Sequence, residues 1–256
     1  MKLFYKQYSE NGKPLIILHG LFGHQGNWAS HARALSDAFA VYGFDARNHG
    51  QSPHSESMDY TQMAEDVIET MDELGLQSAD FIGHSMGGKT AMQLALNYPH
   101  RVGKLLVVDI APVTYQSGPD QVLTGLQQID LSNLFSRKEA DETLQGYINS
   151  RNIRDFLLSN LQRSMEGAYQ WRMGLAVIAA SWVQLKAGLK AGASFSGETL
   201  FIKGELSDYV LPEYKSQILR MFPAADIIEV AGAGHWVHSE QPAQFLELAR
   251  NFLLKP

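Results

Sequence analysis

Cysteine is absent from the 256 residues of this chain. Without thiols the protein can have no disulfide bond, no thiolate nucleophile and no zinc site with cysteine ligands. Apolar runs of membrane-spanning length are absent too, and the run in MKLFYKQYSENGKPLIILHG at the N-terminus is too short for a signal peptide. We therefore expect a cytoplasmic protein with no membrane partner.

Positive charge is scarce. Lys and Arg number 21 against 27 Asp and Glu, which gives a formal net charge of -6 at pH 7. The sequence contains no basic run that could follow a nucleic-acid backbone. We expect a small-molecule substrate and no nucleic-acid partner, while the sequence leaves the oligomeric state undetermined.

Short β-rich runs alternate with helical patterns in the first half of the chain and return near its end, a pattern typical of an α/β fold with a mostly parallel sheet flanked by helices. Strands are predicted at 14–18, 39–44, 79–82, 105–108, 199–202 and 227–230, and helices at 60–74, 86–98 and 243–254. From about 115 to 192 the strand pattern disappears and several short helices are indicated. We predict an α/β core at 1–113 and 197–256 with a helical insertion at 114–196.

The stretch ADFIGHSMGGKTAMQLAL (79–96) satisfies two unrelated catalytic patterns. Gly83 to Gly87 reads G-x-S-x-G, the sharp turn that presents a nucleophilic serine. Gly83 to Thr90 reads G-x-x-x-x-G-K-[ST], a phosphate-binding loop. Both patterns require a strand, a turn and a helix, so the local context does not separate them. LLVVD (105–109) even resembles the strand that supplies a magnesium-binding aspartate beside a phosphate loop.

The rest of the chain favours the serine. A phosphate loop ordinarily follows the first strand of its domain, whereas at least two strands and two helices are expected before Ser85. A glycine-rich turn, HGLFG (19–23), follows a buried strand, and GAGHW (232–236) places His235 in a glycine-flexed loop. A serine, a strand-end aspartate and a histidine then follow one another in the chain order of the α/β-hydrolase triad.

Five stretches carry a family resemblance: LHGLFG (18–23), DARNHGQS (45–52), FIGHSMGGK (81–89), VVDIAPV (107–113) and AGAGHWVHSE (231–240). The chain resembles the α/β-hydrolase superfamily and, within it, the small bacterial YbfF-type esterases. The resemblance implies the α/β-hydrolase fold with a helical cap inserted after the sixth core strand. The phosphate-loop match is then coincidental, and Lys89, Gln93 and Asn97 are expected to form a polar helix face.

Ser85 is expected to attack an acyl carbonyl, with His235 as general base. The backbone N–H groups of Leu21 and Met86 are expected to form the oxyanion hole, where loss of one donor typically costs ~3 kcal/mol.

The triad acid has two candidates. Most α/β-hydrolases carry it after the seventh strand, where Asp208 lies, but this segment departs from the usual G-x-x-D spacing. The YbfF-type pattern carries it within VVDIAPV, where Asp109 ends a buried strand and can orient an imidazole. We prefer Asp109 to Asp208 and place Glu205 third.

The remaining polar residues near these motifs are expected to support them. His19 and His84 are predicted to hydrogen-bond the loops beneath the site, as are Arg47, Asn48 and His49. The other histidines are predicted at the surface: His24, His31, His54 and His100. His235 and His238 lack the further ligands of a metal site, and we predict no metal and no cofactor.

The expected function is hydrolysis of carboxylic esters or thioesters, acyl-coenzyme A among them, through an acyl-enzyme. Phe22 and Trp236 are predicted to line a pocket in which the cap buries an apolar acyl chain. Two alternatives use the same three residues: a cofactor-free lyase of this fold, with the triad as base, and a ligand-binding protein that retains the triad. An ATPase is the least favoured hypothesis.

Overall fold

The computed structural model describes residues 1–116, 120–189 and 194–255, and its centre is a seven-stranded sheet. Its strands are β1 (Tyr5–Gln7), β2 (Lys13–Leu18), β3 (Phe39–Phe44), β4 (Ala79–His84), β5 (Val102–Val108), β8 (Thr199–Gly204) and β9 (Ala225–Val230). Their spatial order is β1-β3-β2-β4-β5-β8-β9. All neighbours are parallel except β1, which pairs antiparallel with β3 at the edge of the sheet.

Helices connect the strands and cover the sheet. Before β5 these are α1 (Ala29–Leu35), α2 (Tyr60–Glu73) and α3 (Met86–Asn97), and after β8 they are α9 (Lys215–Met221), α10 (Val237–Glu240) and α11 (Pro242–Leu253). Short 3-10 helices lie at Gln25–Trp28, Pro99–Arg101, Leu131–Asn133 and Pro212–Tyr214. In the part of the chain that the structure describes, no helix is long and apolar enough to cross a membrane.

The central strands are apolar on both faces because helices cover both sides of the sheet. Along β2, Ile16 and Leu18 pack into one hydrophobic cluster, whereas Leu15 and Ile17 pack into the other. This two-residue alternation is the normal strand geometry. It leaves polar chemistry to the residues just beyond the carboxyl ends of the parallel strands, where Ser85 follows β4 and Asp109 follows β5.

A mostly helical segment lies between β5 and β8. It contains α4 (Asp120–Gln127), α5 (Arg137–Gln145), α6 (Arg151–Leu158), α7 (Leu175–Ala180) and α8 (Trp182–Lys186), with β6 (Leu161–Arg163) and β7 (Tyr169–Trp171) between α6 and α7. We call residues 120–189 the insertion. The segment predicted at 114–196 also includes residues 117–119 and 190–193, which lie outside the described residues.

Two details of the predicted insertion were wrong. The insertion contains two strands, β6 and β7, which form an antiparallel hairpin. Strands of three residues show too little alternation to be read from the sequence. The insertion also follows the fifth strand along this chain, not the sixth.

Candidate active site

Ser85 sits at a sharp turn between β4 and α3. Its backbone has φ 51° and ψ -115°, a conformation that costs a non-glycine residue about 1–3 kcal/mol. The Ser85 N–H donates to the carbonyl of Val108 at 3.0 Å, and the Ser85 carbonyl accepts from the N–H of Lys89 at 3.0 Å. The turn is therefore tied both to the neighbouring strand β5 and to the first turn of α3.

The glycines on either side of Ser85 are required by close backbone approach. A Cβ atom at Gly83 would lie 2.4 Å from the carbonyl oxygen of Gly87, and one at Gly87 would lie 2.3 Å from that of Leu18. Atoms do not approach so closely, so only glycine fits at either position. The G-x-S-x-G pattern thus reflects the packing of α3 against the ends of β2 and β4.

Ser85, His235 and Asp109 form one hydrogen-bonded row, although they are far apart in the chain. His235 Nε2 lies 3.0 Å from Ser85 Oγ, and His235 Nδ1 lies 2.7 Å from Asp109 Oδ2. A carboxylate accepts, so Nδ1 carries the proton donated to Asp109 and Nε2 is left to accept from the serine hydroxyl. This is the tautomer that a general base at Nε2 requires.

Asp109 is held by several donors. It is 1% exposed and has φ 50°. Besides His235, it accepts from the N–H of Gly204 at 2.9 Å and from the hydroxyl of Ser207. These charge-assisted bonds offset the cost of burying the carboxylate.

Asp208, the other candidate acid, lies on the surface, where its side chain is exposed. Asp109 is the carboxylate that contacts His235 among the residues the structure describes. Glu205 is also exposed, and it accepts from the N–H of Gly232 at 2.8 Å.

The two expected oxyanion donors, Leu21 and Met86, both line the cavity that contains Ser85. Leu21 lies in a four-residue turn closed by a hydrogen bond from the Gly23 N–H to the Gly20 carbonyl at 3.0 Å. Phe22, the third residue of this turn, has φ 61°, where glycine or asparagine is usual.

Buried neutral histidines support the turn. Burial lowers the pKa of His19 to about 4 and that of His49 to about 3. Each ring donates from Nδ1 to a backbone carbonyl, which leaves Nε2 to accept from an N–H group: that of Ala46 at 3.0 Å for His19 and that of Phe22 at 3.1 Å for His49. Only the uncharged imidazoles can make both bonds.

His84 holds the loop of His235 from below. Its Nε2 donates to the His235 carbonyl at 2.9 Å, and burial brings its pKa well below the ordinary value. His31, expected at the surface, is buried against Trp28, Phe245 and His238, so that prediction was wrong.

Beneath the turn, Arg47 and Asn48 join loops as expected. Arg47 pairs with buried Asp66 through two bonds of 2.6 and 2.9 Å. The Asn48 side chain accepts from the N–H of Ser55 at 2.8 Å, and its backbone carbonyl accepts from Gly174 in the insertion at 2.8 Å.

Lys89 does not lie on a polar helix face. Lys89 and Gln93 are buried and only Asn97 is exposed, so the predicted face was wrong. The Lys89 ammonium donates to the carbonyl of Val113 at 2.9 Å, which precedes the insertion, and to that of Ala187 at 2.6 Å, near the end of the insertion. Burial lowers its pKa to about 7. Lys89, in the first turn of α3, therefore joins the core to the insertion.

The cavity above Ser85 has a volume of about 330 Å³ and a mainly apolar wall. Phe22 and Trp236 both lie in this wall. The insertion contributes the opposite side, where Trp182 stacks on Phe22 at 6.4 Å and Phe156 packs edge-on against Trp236 at 6.5 Å. The space is that of a small ligand with an apolar portion.

Several residues at the site escaped the sequence analysis. The Tyr209 ring stacks on His235 with centroids 4.0 Å apart, and Ser207 binds the buried acid. Asn160, in the insertion, donates to the carbonyl of Phe22 at 2.7 Å. None of them belongs to a motif. The nearest signal was the position of Ser207 and Tyr209 just after the strand at 199–202.

A family model described as alpha/beta hydrolase fold matches residues 13–242. The chain is 39% identical over 247 residues to the Mus musculus sn-1-specific diacylglycerol lipase ABHD11, covering 93% of this chain and 80% of the relative. It is 34% identical to esterase YbfF of Escherichia coli, with 96% and 95% covered. A solved structure titled "Marine microorganism esterase" superimposes with a TM-score of 0.95 at 41% identity, covering 98% of this chain and 99% of the other. The chain therefore belongs to the α/β hydrolase fold family and is an ester-hydrolysing enzyme.

Proposed function

We propose that the protein is a serine hydrolase that cleaves carboxylic esters through an acyl-enzyme on Ser85. The observation that carries the proposal is the row Asp109–His235–Ser85, with separations of 2.7 and 3.0 Å, which opens into an apolar cavity. Serine attack with a histidine base is the acyl-transfer chemistry that such a row supports.

In the first half of the reaction, Ser85 Oγ attacks the ester carbonyl while its proton passes to His235 Nε2. The N–H groups of Leu21 and Met86 stabilise the negative charge that develops on the carbonyl oxygen. Collapse of the tetrahedral intermediate breaks the bond to the leaving oxygen, which takes the proton from His235. Water, deprotonated by His235, then releases the acid from Ser85 in the same way.

The cavity favours substrates with an apolar acyl group. Its wall is aromatic and aliphatic, and residues 120–189 close it on the side opposite Ser85, which is the place of a cap. Relatives named diacylglycerol lipase and esterase make acylglycerols and simple esters the first classes to assay. Thioesters, acyl-coenzyme A among them, come next because the acyl-transfer steps are the same.

The test is the intact mass of the protein after exposure to a fluorophosphonate probe, with peptide mapping of the adduct. We expect one adduct on Ser85, lost in Ser85→Ala and in His235→Ala, and turnover of p-nitrophenyl esters that is lost in the same variants. Lys89→Met should still be labelled. Labelling without turnover would instead support the ligand-binding alternative, and an absence of both would contradict the proposal.

The lyase alternative is separated by the intermediate. Quenching the enzyme during turnover of an activated ester should trap an acyl group on Ser85, detected as a mass increase on the peptide that contains it. A lyase that uses the triad only to move protons forms no such species.

A further inference from the structure

Phe22, directly after the proposed oxyanion donor Leu21, is held at both of its backbone polar groups. Its N–H donates to His49 Nε2 at 3.1 Å, and its carbonyl accepts from Asn160 Nδ2 at 2.7 Å. His49 belongs to the core and Asn160 to the insertion. The turn is thus clamped from two parts of the molecule that are far apart in the chain.

The turn needs such support because Phe22 has φ 61°. A side chain beyond glycine is disfavoured there, and the strain is relieved when the peptide between Leu21 and Phe22 flips to a turn with negative φ. That flip would turn the Phe22 N–H away from His49 and shift Leu21, whose N–H must point at the reacting carbonyl. His49 opposes the flip directly because it holds the Phe22 N–H, and Asn160 holds the Phe22 carbonyl, in the next peptide, against the accompanying rotation of Phe22.

Asn160 is built for this contact. It is 0% exposed, and its amide nitrogen also donates to the carbonyl of Leu157 at 3.2 Å. Both neighbours are carbonyl oxygens, so the NH₂ group must face them. The backbone carbonyl of Asn160 accepts from the N–H of Arg172 at 2.8 Å, which fixes the main chain that carries this side chain.

The Asn160 amide oxygen has no hydrogen-bond partner among the described residues. An unpaired buried polar atom lowers stability, so an apolar residue would serve better at a position that only filled space. The Asn160 side chain therefore carries a thermodynamic cost, and its hydrogen bond to the core goes to this turn, at the Phe22 carbonyl.

We propose that Asn160 is a positioning residue, through which the insertion holds the oxyanion turn in its active geometry. The inference rests on the proposed function, because it assigns a role to the turn that carries Leu21. Asn160 is not among the residues that line the cavity. Its effect is expected on the stabilisation of the tetrahedral intermediate, and not on binding of the ground-state ester.

The experiment compares Asn160→Ala and Asn160→Leu, a side chain of similar volume without a donor, with the wild-type protein. Ser159→Ala is the matched control, since Ser159 lies next in the chain and its hydroxyl makes a local hydrogen bond, to the carbonyl of Phe156 at 2.6 Å. We would measure kcat and KM for p-nitrophenyl acetate, the inhibition constant of a trifluoromethyl ketone that forms a tetrahedral adduct, and the melting temperature.

For both Asn160 variants we expect kcat to fall about 10- to 100-fold with KM little changed, as for partial loss of an oxyanion donor. The inhibition constant of the ketone should rise by the same factor, and Ser159→Ala should match the wild type. Should Asn160→Ala not fold, Asn160→Leu carries the test, because its side chain fills a similar volume with no donor and no buried unpaired polar atom.

Wild-type kcat in both folded variants, or a change in KM and melting temperature alone, would overturn the positioning role. Such a result leaves the proposed function standing so long as wild-type hydrolysis is abolished in Ser85→Ala. If Ser85→Ala hydrolysed the ester as fast as the wild type, the proposed function itself would fail, and with it the role of the turn.

Discussion

Two regions face each other across the cavity: the strand ends that carry Ser85, Asp109 and His235, and the insertion between β5 and β8. The first is made of tight backbone turns, with positive φ at Ser85 and Asp109 and glycines that admit no Cβ atom. The second contributes isolated side chains on helices, such as Phe156 and Trp182. The proposed chemistry would depend on a backbone whose glycines admit no side chain, whereas the shape of the pocket depends on side chains that can change one at a time.

The largest effect should come from the buried acid. Asp109→Asn should lower kcat by about 10⁴-fold, because an amide stabilises the wrong tautomer of the histidine. The matched control is Asp208→Asn, on the exposed side chain, which should keep the wild-type rate. Steady-state hydrolysis of a p-nitrophenyl ester decides between them, and a greater loss in the Asp208 variant would reverse the assignment.

The contrast in backbone tolerance can be measured with one methyl group. Gly87→Ala should destabilise the fold by about 3 kcal/mol or more, because its Cβ atom would lie 2.3 Å from the Leu18 carbonyl oxygen. Gly146→Ala, on an exposed helix end of the insertion where the nearest atom is 3.5 Å away, should instead stabilise by about 0.4–1 kcal/mol. The free energy of unfolding of each variant would be measured in urea. Equal changes in the two variants would contradict the contrast.

The role of the insertion in selectivity predicts a split between substrates. Phe156→Ala should raise KM for a long-chain ester about tenfold through lost apolar contact, and should leave hydrolysis of the acetate nearly unchanged. The control is Phe135→Ala, which removes a phenylalanine ring that is 79% exposed. It should change neither KM for the long-chain ester nor hydrolysis of the acetate. Equal effects on acetate and long-chain ester would place Phe156 outside the acyl site.

The last expected effect is on stability and concerns Lys89, where the two regions meet. Its pKa is about 7 in the folded protein against 10.5 for an ordinary lysine, so above pH 7 the unfolded chain holds a proton that the folded chain releases. The free energy of unfolding should therefore rise with pH from 7 to 9, by at most about 1.4 kcal/mol per unit from this group. In Lys89→Met that contribution should vanish, while the other titrating groups are common to both proteins. The free energy of unfolding would be measured by urea titration at pH 7, 8 and 9. The same dependence on pH in both proteins would contradict this role of Lys89.

Much of the core was predictable because local rules decide it. The strand predicted at 39–44 coincides with β3, and the helix predicted at 60–74 matches α2 to within one residue. The first segment is a short apolar run and the second carries a helical apolar period, and α2 begins after an aspartate cap and ends just before Gly75. Edge strand β1 and the hairpin of the insertion were missed because strands of three residues have no measurable period.

In the candidate site, too, features set by local constraints were predictable and features set by distant contacts were not. The glycine pattern around Ser85 was legible because each residue meets a constraint of its own backbone or its immediate neighbours. The burial of Lys89 was not, since its partners, the carbonyls of Val113 and Ala187, are 24 and 98 residues away. Asn160 is likewise 138 residues from the carbonyl it binds.

By itself the sequence determined the alternation of strands and helices, the family, the sharp turn that carries Ser85 and a short choice of candidate acids, because these depend on local conformation and on spacing along the chain. Only the tertiary structure decided that Asp109, not Asp208, reaches His235, that Lys89 is buried, and that the insertion touches the turn at Phe22. Such contacts arise when distant segments pack together, and the cost of closing a long loop is almost independent of its exact length. The spacing between two distant residues therefore carries little information about whether they meet.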